Sequence, residues 1–335
     1  MDLFRRLFTQ SKTQTDEHPP VPVTNPTKPL ESSVVSEATT PLPSTDTAEL
    51  AEDTAQIETV YPDGATRPLP PETVISTSNM HITFGQSTDV GMVRNNNQDA
   101  AFSFFSTSRN ADQRPDFGLF MVADGMGGHH DGEKASAATA HIVAAQVTSS
   151  VFLPMLTGEN DADRIPITEA LVSAVQKANA DIIAKIPDGG TTLTATAIVG
   201  DLAYVVHVGD SRIYLITKDG IEQITRDHSL VQRLIELDQL KPEEALHHPQ
   251  RNVLYRALGQ SESLEIDALT RRLPPNSRLL LCSDGLWNLV DEKDMMRIVL
   301  AHDNPQEACD KLVALANTNG GADNITAILL YIPSS

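Results

Sequence analysis

The sequence predicts an α+β fold in which helices cover antiparallel sheets, and three observations carry that expectation. Strand-like and helix-like stretches are segregated along the chain rather than alternating, which argues against a parallel sheet wound through helices. From residue 191 to 225 the apolar period drops from about 3.6 residues to about 2. Two breaks inside that stretch, Gly200-Asp201 and Lys218-Asp219-Gly220, are the residue types of tight hairpin turns. The strands around them are therefore expected to pair as an antiparallel meander.

Taken in order, residues 81–85 and 100–105 read as strands, and 117–123 is an apolar run ending in Asp-Gly, as a buried strand entering a turn does. Residues 133–151 place Ala135, Ala138, Ile142 and Ala145 on one helical face. Residues 166–186 do the same with Leu171, Ala174, Val175, Ala178 and Ile182. Pro166 suits the start of that helix, where a missing N–H has no bond to lose. After the meander come a polar helical stretch at 229–240, a short buried strand at 279–282, helices near 291–301 and 305–318, and a last strand at 324–332.

Composition divides the chain. Residues 1–80 hold 11 of the 21 prolines, 14 threonines and a single glycine, Gly64, with few large apolar side chains. Such a stretch lacks the apolar surface that would offset the entropy of ordering it, so it is expected to be a disordered acidic tail. Residues 81–335, with 17 of the 18 glycines, are expected to form one globular domain. The 45 acidic and 25 basic residues give a net charge of −20, which speaks against nucleic-acid binding because that needs a basic face to displace counterions. The tail has 12 acidic and 5 basic residues, so it carries −7 and the remainder −13. Two cysteines, Cys282 and Cys309, build neither a disulfide framework nor a thiolate zinc site. No apolar run approaches the roughly 20 residues of a membrane helix. Residues 3–8 (LFRRLF) are broken by Arg5 and Arg6, unlike a signal peptide, and are too short for stable anchoring. A cytoplasmic monomer without stable membrane insertion is expected.

Four aspartates stand where strands should end or begin, each beside glycine or asparagine: Asp124-Gly125, Gly209-Asp210, Asp284-Gly285 and Asp323-Asn324. Taken singly, each is also an ordinary turn former. Together, at the ends of rigid strands, they occupy the places where functional groups are commonly mounted. Carboxylates that converge without compensating Lys or Arg repel one another unless a cation joins them, and an all-oxygen shell suits Mg²⁺ or Mn²⁺ rather than zinc. Two such ions about 3.5 to 4 Å apart can lower the pKa of a bridging water and align it with a leaving group. Arg94, the one basic residue in a comparable setting, has a fork suited to phosphate.

Six segments carry a family resemblance: 89–99 (DVGMVRNNNQD), 122–136 (VADGMGGHHDGEKAS), 190–193 (GTTL), 208–214 (VGDSRIY), 282–287 (CSDGLW) and 320–326 (GGADNIT). In order and spacing they resemble the metal-dependent protein Ser/Thr phosphatases of the PP2C (PPM) family, with the bacterial branch that opposes Hanks-type kinases fitting best. The resemblance implies a four-layer αββα sandwich of two antiparallel β-sheets flanked by helices, with two Mn²⁺ or Mg²⁺ ions at one end and a third, weaker one. By position, Asp124 would bridge both ions, the Gly125 carbonyl would complete the second site, and Asp284 and Asp323 would hold the first. Asp99 would order metal-bound water, Asp210 would serve the third ion, and Arg94 would bind the substrate phosphate. The implied reaction is direct attack by a metal-bridging hydroxide on phosphoserine or phosphothreonine, with no phosphoenzyme. The implied partners are phosphorylated proteins, Ser/Thr kinases among them.

This sequence departs from the family pattern at two positions. Gln98 stands where Glu is frequent; its amide oxygen can still accept a hydrogen bond from water at the second metal, without a charge. Met126 stands where many eukaryotic members carry a His proposed as general acid, so leaving-group protonation is expected from metal-bound water. His129 and His130 lie nearby, either as a general acid or simply as solvated loop residues. His228 opens the flap, 226–259, which is expected to touch the substrate protein; packing of the flap helix is the other reading for this ring. A cysteine route is excluded because no Arg follows Cys282 in a phosphate-binding loop. Trp287 is expected to pack beneath the site. In the tail, Thr13-Gln14 and Thr15-Asp16 suggest phosphorylation and an FHA-domain partner. Two further classes fit parts of the pattern: a phosphoprotein-binding module without turnover, and a two-metal hydrolase of nucleotides or small phosphates.

Overall fold

Strands and helices follow one another in blocks along the chain. A computed structural model describes residues 81–107, 116–127, 130–158, 165–245 and 248–334. The expected tail, with Thr13 and Thr15, lies outside the described residues, as does His129. The order is β1 (Thr83–Asp89), β2 (Asp99–Ser106), β3 (Phe117–Gly127), α1 (Asp131–Val147), a π-type turn (Thr148–Phe152), α2 (Leu153–Thr157) and α3 (Ile167–Lys185). Next come β4 (Gly189–Thr191), β5 (Leu193–Val199), β6 (Leu202–Val208), β7 (Arg212–Thr217) and β8 (Gly220–Gln223). The remainder is α4 (Leu230–Glu236), α5 (Pro242–Ala245), β9 (Asp267–Arg272), β10 (Arg278–Cys282), α6 (Asp284–Trp287), α7 (Glu292–Ala301), α8 (Pro305–Thr318) and β11 (Ile325–Tyr331).

Two antiparallel sheets result. One runs β1-β11-β10-β7-β8; the other runs β2-β3-β5-β6-β9, with β4 on the end of β3. Because side chains alternate across a strand, β3 feeds two cores. Leu119, Met121 and Ala123 pack with Ala135, Val143 and Leu171 of α1 and α3. Phe120 and Val122 face the other way and meet Ile213, Leu279, Leu281 and Ile328 of the opposite sheet. The far face of that sheet, with Tyr214, Leu280 and Leu329, is covered by Met295, Val299 and Leu312 of α7 and α8. The layers are therefore helix, sheet, sheet, helix, as the resemblance implies.

The expected meander is split. β5 and β6 pair in one sheet, whereas β7 and β8 pair in the other. The chain crosses between sheets at Gly209-Asp210-Ser211, where Gly209 has φ +111° and an added Cβ would come within 2.5 Å of Thr192 Cγ2. A residue with a side chain fits there neither conformationally nor sterically. β9 has no counterpart in the sequence reading. It is an edge strand of alternating half-buried and exposed residues, and Arg271 pairs with Glu222 at 2.6 Å. Such charged edges resist further strand addition, and they mask the apolar signal of a strand.

Helical stretches also change at their ends. The stretch expected over 229–240 is helical only at Leu230–Glu236, where Ser229 caps by accepting the Gln232 N–H at 3.3 Å. Against the expected absence of membrane-sized helices, Asp131–Thr157 is long and apolar enough to cross one by length and composition. In this fold Ala135, Ala140, Val143 and Val147 of that stretch are buried in the core shared with the sheet.

Candidate metal centre

The two sheets bring their strand ends together at one side of the domain. Asp99 begins β2 and lies in register opposite Asp124 near the end of β3. Asp210 occupies the crossover before β7, Asp284 opens the one-turn helix that follows β10, and Asp323 precedes β11. Arg94, Gln98, Asp124, Gly125, Asp210, Asp284 and Asp323 line one cleft of about 270 Å³. Met126, Thr192, Asn252 and Leu254 share its wall. Of the residues expected to serve the metals or the phosphate, Asp99 alone stands off the cleft wall, at the start of β2 opposite Asp124.

Hydrogen bonds between segments far apart in the chain fix these loops. The Asp124 N–H donates to Thr192 Oγ1 at 2.9 Å, and its carbonyl accepts from Thr191 Oγ1 and the Thr192 N–H, each at 2.9 Å. Gly125 donates its N–H to the Gln98 carbonyl at 3.1 Å. A Cβ at Gly125 would come within 2.3 Å of the Gly132 carbonyl oxygen, so this close approach needs glycine. Asn324 ties the Arg94 loop to the Asp323 loop: Oδ1 accepts the Gln98 N–H at 2.8 Å, while Nδ2 donates to the carbonyls of Val90 and Asn96 at 2.9 Å. Arg94 itself donates to Asp323 Oδ2 at 2.6 Å.

Electrostatics at the cleft are adverse for the protein alone. Asp99 Oδ2 accepts from Ser283 Oγ at 2.7 Å and Thr326 Oγ1 at 2.6 Å, yet Oδ1 is buried with no hydrogen-bond partner. Asp284 Oδ1 is in the same condition. Burial pushes Asp99 up to about 6, and burial together with the charge of Asp227 pushes Asp210 up to about 7. Asp124 and Asp284 rise well above the usual carboxylate range, first through burial and then through the neighbouring aspartates. A buried carboxylate oxygen without a partner costs free energy, and a divalent cation supplies both the partner and the compensating charge. The donors are all oxygen. Among the described residues no three His, Cys, Asp or Glu side chains stand close enough together to hold an ion unaided. An ion in this cleft would keep several waters, which fits Mg²⁺ or Mn²⁺ and not a closed zinc cage.

Most of the domain matches a known protein family. Residues 93–315 match the family model for Protein phosphatase 2C. The chain belongs to the protein phosphatase 2C family. It is 35% identical over 257 residues to the serine/threonine phosphatase stp of Listeria innocua, covering 75% of this chain and 95% of that protein. Among solved structures it resembles the Mycobacterium tuberculosis serine/threonine phosphatase PstP/Ppp, with 31% identity and a TM-score of 0.63 over 75% of this chain and 99% of that one. It also resembles the catalytic domain of PstP in complex with two manganese ions, with 30% identity, a TM-score of 0.61, and coverage of 76% and 99%.

In this phosphatase 2C domain, Met126 reaches the cleft wall with only a thioether, whose sulfur lies 3.4 Å from Gln260 Nε2. His130 is exposed beside Glu133 at 3.3 Å, as a solvated loop residue would be. His228 is fully buried: Nδ1 accepts the Gly209 N–H at 3.1 Å, and Nε2 faces Asp267 Oδ2 at 3.1 Å. This ring packs the flap root. Trp287 lies beneath the site and donates Nε1–H to the Asp210 carbonyl at 3.0 Å, with the Arg212 guanidinium 3.6 Å above its ring. Burial pushes the Cys282 thiol up to about 12, which keeps it unreactive.

Several residues that hold this phosphatase site have no signal of their own in the sequence. Thr192, Ser283 and Thr326 lie inside recognisable segments, but a hydroxyl beside or within a strand looks like any other. Their partners are far along the chain, 184 residues for Ser283 with Asp99 and 227 for Thr326 with Asp99.

Proposed function

We propose that the protein is a metal-dependent protein serine/threonine phosphatase that transfers the phosphoryl group of phosphoserine or phosphothreonine directly to water and opposes Ser/Thr kinases. The observation that carries this reading is the pair of buried, unpartnered carboxylate oxygens, on Asp99 and Asp284, beside the cleft that Arg94 lines. Asp124 and the Gly125 carbonyl would hold the second Mn²⁺ or Mg²⁺ ion, Asp124, Asp284 and Asp323 the first, and Asp210 a third, weaker one. When bound, such ions acidify water and offset charge on the phosphoryl oxygens.

The chain's own groups then do the positioning. Arg94 offers a planar fork to two phosphoryl oxygens. Asp99, clamped by Ser283 and Thr326, would accept from metal-bound water through its other oxygen. Gln98 orients water through its amide oxygen without adding charge. Met126 holds no proton to give, so the leaving seryl or threonyl oxygen takes its proton from water. Tail pairs such as Thr13-Gln14 and Thr15-Asp16 would be kinase targets read by an FHA-type domain.

Phosphate release from a phosphothreonine peptide in Mn²⁺, with and without chelator, tests the reading on the wild type and Asp284→Asn. Release that depends on Mn²⁺ and drops at least 100-fold in the variant is expected. No release from the wild type overturns it.

A further inference from the structure

We propose that the turn bearing Met92 and Val93 is a subsite for apolar residues flanking the phosphorylated residue of a protein substrate; this rests on the phosphatase reading. Met92 is 71% exposed and Val93 66%, the two highest values among the exposed large apolar side chains of the described residues. Scattered exposed apolar residues need no explanation. These two are adjacent, and the next residue, Arg94, lines the cleft.

The turn is held rigidly. Gly91 donates its N–H to Asp89 Oδ1 at 2.8 Å, and Met92 donates its N–H to the Gly321 carbonyl at 2.7 Å. Gly91 has φ +81°, and a Cβ there would come within 2.2 Å of the Asp323 carbonyl oxygen. The backbone is thus pressed against the loop that carries Asp323. Two apolar side chains are presented to solvent from a preformed turn, so burying them against a partner incurs little ordering entropy.

A second wall segment has the same character. Leu254 lines the cleft, while its neighbours Val253 and Tyr255 are 46% and 42% exposed. That segment is also tied down: the Leu230 N–H donates to the Val253 carbonyl at 2.8 Å, and the Tyr255 N–H donates to the His228 carbonyl at 3.0 Å. A cleft of carboxylates and one guanidinium can hold a phosphoryl group, but it contacts nothing that distinguishes one phosphoprotein from another. The stretch Val90-Gly91-Met92-Val93 has no charged side chain, so it offers a substrate apolar contact and no ion pair. The ligand it fits is an extended phosphopeptide with Leu, Ile, Val, Met or Phe next to the phosphorylated residue.

Two phosphothreonine peptides that differ only in Leu or Ser at both flanking positions test this in Mn²⁺, with p-nitrophenyl phosphate as a substrate without flanks. The wild type should favour the Leu peptide by about tenfold in kcat/KM, expressed mainly in KM. The double variant Met92→Ser/Val93→Ser should abolish that preference while p-nitrophenyl phosphate turnover stays within about twofold. Met92→Gln, which keeps the chain length and removes the apolar end, should reduce the preference about threefold and decides the matter if the double variant does not fold. No preference in the wild type, or a preference that survives in the variants, overturns the proposal. A wild type inactive on all three substrates instead refutes the phosphatase reading.

Discussion

Arg94 and Asp323 form an ion pair at the mouth of the cleft, with side chains 50% and 29% exposed. A pair this exposed adds little to stability, so its members are free to serve other ligands. Arg94→Gln is expected to leave the melting temperature within about 1 °C and to raise KM for a phosphothreonine peptide at least tenfold. Mn²⁺ affinity should be retained; calorimetry on the variant separates the two roles. Asp124, Asp210, Asp284 and Asp323 were legible in the sequence because each stands beside glycine or asparagine where an apolar strand run ends or begins. The hydroxyls of Thr192, Ser283 and Thr326 were not, since their role depends on which distant carboxylate they meet.

At the scale of elements, the flap root is joined to the site by a buried pair. Arg212 at the start of β7 donates through Nε and Nη2 to Asp227, with a shortest contact of 2.7 Å, and through Nη1 to Tyr214 Oη at 2.8 Å. Its guanidinium also covers Trp287, which holds the Asp210 carbonyl. Asp227→Ala would leave a largely buried guanidinium without its carboxylate, at a cost of about 3–5 kcal/mol. Urea unfolding should show this as a lower midpoint, with a loss under 1 kcal/mol counting against it. Ser229→Ala, which removes the cap of α4, should cost about 1 kcal/mol by the same measurement. The long helices α1, α3, α7 and α8 and most strands could be read from periodicity and turn residues, whereas the short α2, α5 and α6 could not. β9 could not, because on this edge strand Arg271 shares the half-buried face with Leu269 and interrupts the apolar alternation.

The domain as a whole should depend on its metals for stability. A ligand that binds only the folded state at about 100 times its Kd adds about 2.7 kcal/mol, so chelation should lower the melting temperature by roughly 5–10 °C for a domain of this size. No shift between Mn²⁺ and chelator would contradict the metal centre. His207 sets a separate pH response. Burial lowers it to about 4, with its ring centre 4.8 Å from that of His228 and tilted by 41°. The unfolded chain, with a histidine pKa near 6.5, binds the proton more readily between these values. The contribution of His207 is therefore complete above about pH 6.5 and is lost as pH falls towards about 4. The difference in unfolding free energy between wild type and His207→Gln, which cancels the carboxylates common to both, should narrow over that range. A constant difference would contradict it.

The sequence by itself determined where most strands and helices lie, that they are segregated into an α+β domain, and which aspartates stand at strand ends. Those properties depend on periodicity, turn residues and short segments, all local to the chain. Only the tertiary structure decided that β7 leaves the sheet of β5 and β6, so that Asp210 stands at the crossover. It also decided that Asp99 sits off the cleft wall between two distant hydroxyls, and that Met92 and Val93 face solvent beside Arg94. The physical reason is that sheet membership and burial are set by partners far apart in the chain, and local propensity has no record of them.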